Sequence, residues 1–150
     1  MAEVIRFYRQ HDPWGEFSNF SAHPIKLDGK RWATTEHYFQ AQKFDDPESQ
    51  RRIREAKDPG DAARLGRRLP GLRSDWEQVK DEVMLRALRA KFTQHAKLER
   101  LLLDTADAEL VEHTRNDSYW ADGGDGSGKN RLGELLMQLR GELRQATSSD

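Results

Sequence analysis

Residues 35–44 of this 150-residue chain read TEHYFQAQKF, and they predict a helix over the whole stretch. At about 100° per residue, Glu36, Gln40 and Lys43 lie within about 60° of one another on one face of that helix. A carboxylate, an amide and an amine in one line, beside aromatic side chains, form a reasonable set of groups for a functional site. The alternative interpretation is a solvated stripe of charges on a surface helix.

Turn and capping signals predict most of the other elements. The pair Asp28-Gly29 suits a two-residue type I′ hairpin turn. Asp46 and Asp58 each precede a proline, as N-capping residues commonly do. The fold class is therefore α+β, a mostly helical single domain with a small antiparallel sheet. It is expected over residues 1–150, with a core at about 4–144 and a frayed C-terminal tail. The predicted elements are strands at 4–8 and 109–113, a hairpin over 25–32, and helices at 35–44 (capped by Thr34 or Thr35), 47–56, 59–67, 74–95, 97–104 and 132–144.

Composition excludes several classes of protein. The chain has 25 Lys and Arg, 26 Asp and Glu, and a net charge of −1, so no global field attracts nucleic acid. It has no cysteine, which excludes disulfides, thiolate metal sites and a cysteine nucleophile. No apolar run approaches the roughly 20 residues that cross a bilayer, and the N-terminus lacks a signal-peptide pattern. The histidines lack metal-binding spacing. We expect a cytoplasmic protein with no cofactor, no metal and no membrane partner.

A glycine-rich loop precedes the last helix. Residues 123–129 fit the pattern G-x-x-x-x-G-K, but Asn130 stands where a nucleotide-binding P-loop needs Ser or Thr. An NTPase is therefore not predicted. A glycine-rich loop that enters a helix can still present backbone N–H groups to an anion, with Lys129 and Arg131 adding charge. A plain flexible connection is the alternative.

Several side chains are candidates for chemistry or for substrate binding. Glu36 is a possible acid, base or electrostatic stabiliser. Lys43 is either an anion contact or, with a lowered pKa, a nucleophilic amine that forms a Schiff base. Trp14 and Trp120 lie in polar turn segments where an aromatic face could stack on a base. Asn19 could orient a sugar hydroxyl or a heterocycle edge, with a turn cap as its alternative role.

Five motifs, one of them in two parts (110–113 with 116–120), occur in an order that resembles the NADAR family and, within it, the YbiA-like N-glycosidases. The resemblance runs from about Ile5 to Leu143. At position 121 the family usually has Gly after Tyr-Trp, whereas this chain has Ala121, whose methyl group could crowd the loop. The motifs are GEFSNF (15–20), the block 32–44 ending EHYFQAQKF, 84–92 ending in Lys91-Phe92, LVEH (110–113), NDSYW (116–120) and GKNRLG (128–133).

This resemblance implies an N-glycosidase that hydrolyses phosphorylated N-ribosides, such as the ribosylaminopyrimidine phosphates of riboflavin biosynthesis. Two alternatives stay open: a guanine ADP-ribosyl hydrolase acting on ADP-ribosylated nucleic acid, and a non-catalytic ADP-ribose or nucleotide-binding module. The expected catalytic residues are Glu36, Lys43 and Asp117, the last as a second acid or a ribose ligand. The expected substrate-binding residues are Trp14, Asn19 and Trp120 for the base, Gly128, Lys129 and Asn130 for phosphate, and Gly15, Gln40 and Glu112.

Overall fold

A computed structural model describes residues 3–148, which divide into two compact units. The terminal unit comprises the N-terminal segment through Ser21 and the chain from His95 onward, and the central unit is Ala22–Gln94. The expected α+β, mostly helical fold is confirmed, whereas a single domain over 1–150 stays a prediction. The elements are strands β1 (Val4–Phe7), β2 (Ile25–Leu27), β3 (Lys30–Trp32) and β4 (Glu109–Glu112), a 3-10 helix (Gly15–Phe17), and helices α1 (Thr35–Ala41), α2 (Pro47–Arg54), α3 (Pro59–Arg68), α4 (Trp76–Gln94), α5 (Ala96–Asp104) and α6 (Arg131–Ser148).

Helix α1 lies at the centre of the central unit, where it contacts α2, α3 and α4. Its aromatic residues account for this position, because Tyr38 and Phe39 are almost fully buried. The Tyr38 and Trp32 rings pack in a T-shaped arrangement at 5.3 Å between centroids. The Tyr38 hydroxyl donates to Asp28 at 2.8 Å, which ties the helix to the hairpin turn. The two polar positions of interest, Glu36 and Gln40, are thus carried on a helix fixed by its apolar face.

The local signals identified in the sequence are present in the central unit. Asp28 and Gly29 both have positive φ, as a type I′ turn requires, and strands β2 and β3 pair antiparallel around them. The side chains of Thr34, Asp46 and Asp58 each accept a backbone N–H three residues later, so all three predicted N-caps are confirmed.

In the terminal unit, β1 pairs in parallel with β4, and α6 packs against β4. Helices α5 and α6 also contact each other. Arg140 of α6 is buried, and its guanidinium donates to the Thr105 hydroxyl at 2.9 Å and the Ala108 carbonyl at 2.8 Å. These bonds satisfy a buried charge at the junction between α5 and β4.

Two predicted helix ends differ from the observed ones by more than two residues. Helix α1 ends at Ala41 rather than Phe44, because Phe44 leaves the helix to form an isolated antiparallel bridge with Leu72. Helix α6 continues four residues beyond the predicted end at Arg144, to Ser148. The last two residues of the tail that was expected to fray, 149 and 150, lie outside the described residues.

Candidate active site

Glu36 and Gln40 are joined by a short hydrogen bond on helix α1. The Gln40 side-chain N–H donates to Glu36 Oε2 at 2.6 Å, which is the contact expected for positions i and i+4 of a helix. Glu36 is half-buried, and Gln40 is only 7% exposed. A donor at this place fixes the orientation of the Glu36 carboxyl group. The two side chains therefore share a face, as their spacing predicted.

Lys43 was predicted to lie on the same helix face as Glu36 and Gln40. That prediction is wrong, because the helix ends at Ala41. The backbone N–H of Lys43 still donates to the Gln40 carbonyl, at 3.3 Å, in a tighter turn. The Lys43 carbonyl accepts from the Arg73 N–H at 2.8 Å. This bond lies beside the bridge between Phe44 and Leu72, where the chain has left the helix.

The Lys43 amine has a perturbed protonation equilibrium. Burial lowers its pKa, the neighbouring carboxylate of Glu36 raises it, and the positive charge of Arg67 lowers it further, with a net downward change. An amine with a lowered pKa has a larger neutral fraction at physiological pH, and only the neutral amine is nucleophilic. Glu36 and Lys43 are thus electrostatically coupled although they do not share the helix.

Helix α3 adds two residues to this group that were not singled out in the sequence. Arg67 supplies the charge that acts on Lys43. Gly66 is buried in the helix interior, and a Cβ atom added there would lie 2.0 Å from Gln40 Oε1. A glycine inside a helical pattern is the one signal that could have pointed to a close packing contact here.

In the terminal unit, Trp14 and Gly15 form a strained turn at the start of the 3-10 helix. Trp14 has φ of 66°, a left-handed conformation that is rare for a bulky residue. Its ring is half-buried and stacks on Phe17 at 5.9 Å with an interplanar angle of 12°. At Gly15 an added Cβ would lie 2.2 Å from the Gln10 carbonyl oxygen. Asn19, just after this helix, is 8% exposed.

Asp117 organises the loop that contains Trp120. Its Oδ1 accepts the backbone N–H groups of Tyr119 at 2.8 Å and Trp120 at 2.7 Å. The half-buried Trp120 ring packs in a T-shaped arrangement with the Tyr119 ring at 4.9 Å between centroids. Because Oδ1 is committed to the loop, the predicted role of Asp117 as acid or ribose ligand would fall to Oδ2.

Asp122 is a second organising carboxylate of the loop. It accepts from the His113 ring at 2.7 Å and from the backbone N–H groups of Thr114 at 3.1 Å and Gly124 at 2.8 Å. Burial alone would raise the pKa of Asp122, but these hydrogen bonds lower it. The neighbouring Ala121 is fully buried and does not adopt positive φ. The methyl group that departs from the family pattern therefore imposes no left-handed backbone strain.

The backbone N–H groups that were expected to bind phosphate have partners within the loop. The N–H groups of Gly128, Lys129 and Asn130 donate to loop carbonyls at 2.8, 2.8 and 3.0 Å. The Asn130 side chain is also committed, since Oδ1 accepts from the Glu112 N–H at 3.0 Å and Nδ2 donates to the Leu110 carbonyl at 2.9 Å. The assignment of Gly128, Lys129 and Asn130 to phosphate binding stays a prediction. Of the three predicted phosphate contacts, the exposed amine of Lys129, 5.5 Å from the Tyr119 ring centroid, stays available.

Within each unit, then, the structure joins some of the predicted residues. It groups Glu36 and Gln40 with Lys43 in the central unit. In the terminal unit it joins Asp117 to Trp120, and Glu112 to Asn130. Within residues 3–148, no group of three or more His, Asp or Glu is arranged to hold a metal ion. Nor does any helix in this part of the chain have the length and apolarity to cross a membrane.

The fold and these residues define a protein of the NADAR class, and the NADAR domain family matches residues 6–144, so the chain belongs to that family. It is 61% identical over 141 residues to N-glycosidase YbiA of Escherichia coli (strain K12), covering 93% of this chain and 88% of that protein. The NMR structure of the E. coli protein YbiA matches with a TM-score of 0.93 at 56% identity, covering 100% of this chain and 90% of the solved chain. Riboflavin biosynthesis protein VVA0006 of Vibrio vulnificus (strain YJ016) is 42% identical over 146 residues, which are 97% of this chain and 40% of that protein.

Proposed function

We propose that this protein hydrolyses the N-glycosidic bond of a phosphorylated N-riboside, such as a ribosylaminopyrimidine phosphate of riboflavin biosynthesis. Relatives over nearly the whole chain are named N-glycosidases, which supports a hydrolase acting on N-glycosyl compounds. The name of the Vibrio vulnificus relative, a riboflavin biosynthesis protein, supports the choice of substrate class.

The observation that carries the proposal is the group formed by Glu36, Gln40 and Lys43. Cleavage of the bond between C1′ and nitrogen develops positive charge on the ribose ring, and a fixed carboxylate stabilises that charge. The Gln40 N–H donates to Glu36 Oε2 and fixes the orientation of the carboxyl group for this task. Glu36 can also take a proton from an attacking water, whose oxygen bonds to C1′ as the C1′–N bond breaks, and then pass that proton to the leaving heterocyclic amine.

Lys43 offers a second route to the same products. Its neutral amine can attack C1′ and displace the heterocyclic amine, which takes one proton from the Lys43 nitrogen. The furanose ring then opens, its oxygen takes the second proton, and the resulting Schiff base is hydrolysed by water to ribose phosphate and free Lys43. The lowered pKa of Lys43 favours this role because it enlarges the neutral fraction of the amine, and a phosphate contact through the charged amine is the alternative. The assignments of Trp14, Asn19, Glu112, Trp120 and Lys129 to substrate binding stay predictions from the sequence.

The test is chromatography of free base and ribose phosphate after incubation with a small panel of substrates. The panel comprises a ribosylaminopyrimidine phosphate, NAD, ADP-ribose and ADP-ribosylated DNA. Release of the pyrimidine supports the proposal. Release of ADP-ribose from DNA alone would replace it with the nucleic-acid hydrolase, and product from no substrate would favour a binding module.

Borohydride separates the two roles of Lys43. Reduction during turnover should trap a stable substrate adduct on the wild-type protein and none on Lys43→Arg, which keeps the charge but is not nucleophilic. Absence of an adduct, together with a KM raised only in Lys43→Ala, would assign Lys43 to phosphate binding.

A further inference from the structure

Gly66 and Gln40 make a contact that only glycine permits. Gly66 lies inside helix α3 and is buried, and α3 packs on α1. A Cβ at position 66 would lie 2.0 Å from Oε1, 2.8 Å from Cδ and 3.2 Å from Cβ of Gln40. Three atoms along one side chain stand in its way, so a small rotation of the amide alone does not relieve the overlap.

The different surroundings of its N–H and carbonyl groups hold the Gln40 side-chain amide in one orientation. Its N–H donates to Glu36 Oε2, whereas its carbonyl oxygen is buried and has no hydrogen-bond partner. An amide turned by 180° would place its oxygen against the carboxylate, which is repulsive. The hydrogen that glycine carries in place of Cβ points at Oε1, so the carbonyl meets a weakly polar C–H group instead of a methyl group.

This arrangement has an evident cost, because a buried acceptor without a partner is rare and unfavourable. Gln40 cannot turn its carbonyl elsewhere without withdrawing its N–H from Glu36. The space that Gly66 leaves open is therefore what allows the side chain to stay in place beside the carboxylate.

We propose that Gly66 is a positioning residue for the reaction: by leaving room for the Gln40 amide, it holds Glu36 in its working orientation. This inference rests on the proposed function of Glu36. Gly66 touches neither substrate nor reacting atoms and acts only through Gln40. It predicts that substitution at 66 and removal of the Gln40 amide damage the same step.

A double-mutant cycle tests this. Gly66→Ala and Gln40→Ala should each lower kcat about 10- to 100-fold with KM nearly unchanged, because a misplaced catalytic group costs that much in rate. The double variant should lose no more than Gln40→Ala alone, since the overlap has gone with the amide. Gly141→Ala is the matched control, because Gly141 also lies in a helix and an added Cβ there meets nothing within 4 Å.

Losses that multiply in the double variant would overturn the proposal, as would a Gly66→Ala protein that keeps wild-type kcat. If Gly66→Ala alone fails to fold, the comparison of Gln40→Ala with the double variant decides. Equal kcat values support the positioning role, and a lower kcat in the double variant contradicts it.

A second readout does not depend on turnover. The side-chain N–H resonances of Gln40 in ¹⁵N NMR spectra should shift in Gly66→Ala and stay unchanged in Gly141→Ala. If the wild-type protein releases no product from any substrate, the proposed function fails, and these resonances still decide whether Gly66 positions Gln40. Unchanged Gln40 resonances in folded Gly66→Ala would overturn the inference by themselves.

Discussion

Replacing Asn130 by alanine removes a side chain that covers one edge of strand β4. The N–H groups of Glu109 and His113 donate toward β1, to carbonyls at 2.7 and 2.9 Å. Because strand residues alternate, the Leu110 carbonyl and the Glu112 N–H face the opposite edge. There the Asn130 side-chain amide accepts from the Glu112 N–H and donates to the Leu110 carbonyl, as a peptide group of a neighbouring strand would.

The cost of the substitution can be estimated from these contacts. The buried Leu110 carbonyl and the part-buried Glu112 N–H each lose this hydrogen bond, at about 1.5 kcal/mol apiece. Asn130 also has φ of 51°, a conformation that asparagine tolerates and that costs alanine about 1 kcal/mol. Together, Asn130→Ala should lower the free energy of unfolding by about 4 kcal/mol, or the melting temperature by about 10 °C for a chain of this size.

Urea unfolding, followed by circular dichroism, measures this change. Asn130→Gly separates the two contributions, because glycine adopts the same φ freely and should be about 1 kcal/mol less destabilised than alanine. Asn116→Ala is the control: its exposed amide donates only to the Tyr8 hydroxyl, and the loss should stay below about 0.5 kcal/mol. An Asn130→Ala protein within about 1 kcal/mol of wild type would refute the edge-pairing role and return Asn130 to ligand binding.

Three further predictions concern single residues. His37 is buried with a pKa lowered by desolvation, so below pH 6.5 the unfolded chain binds the proton more tightly, and stability should fall as pH decreases. Urea unfolding at pH 7 and pH 5 should show a smaller difference in His37→Gln than in wild type or in His11→Gln. In NMR titrations, Arg67→Ala should raise the pKa of Lys43 and Glu36→Gln should lower it further; opposite signs would contradict the assigned causes. Gly15→Ala should destabilise the protein by at least about 2 kcal/mol in thermal unfolding, because its Cβ overlaps a backbone carbonyl that cannot turn away; near-normal stability would contradict that geometry.

Features set by neighbouring residues were predictable from the sequence. The caps at Thr34, Asp46 and Asp58 each depend on a hydrogen bond spanning three residues, and the hairpin turn depends on Asp28-Gly29. The contact between Glu36 and Gln40 follows in the same way from the helical repeat. The NADAR resemblance, carried by motifs along the chain, is confirmed by the family match.

Features set by distant residues were not predictable. Helix α1 ends early because Phe44 pairs with Leu72, far along the chain, and no local signal stops the helix there. Asn130 follows a glycine-rich stretch typical of anion-binding loops, yet its side chain serves a strand about 20 residues earlier. In both cases hydrogen bonds to residues distant in sequence decide the structure, and the local sequence pattern does not reveal those partners. The role of Gly66 could not be predicted for a related reason: it depends on Gln40, which packs against Gly66 from another helix.

The central claim is that Glu36 stabilises the transition state of N-glycosidic cleavage, and Glu36→Gln tests it most directly. Glutamine keeps the shape of the side chain and removes its charge. With the substrate that wild type cleaves, release of free base should fall at least about 100-fold in kcat, while substrate affinity measured by calorimetry changes little. Turnover by Glu36→Gln within about threefold of wild type would contradict the claim and exclude this carboxylate from the chemistry.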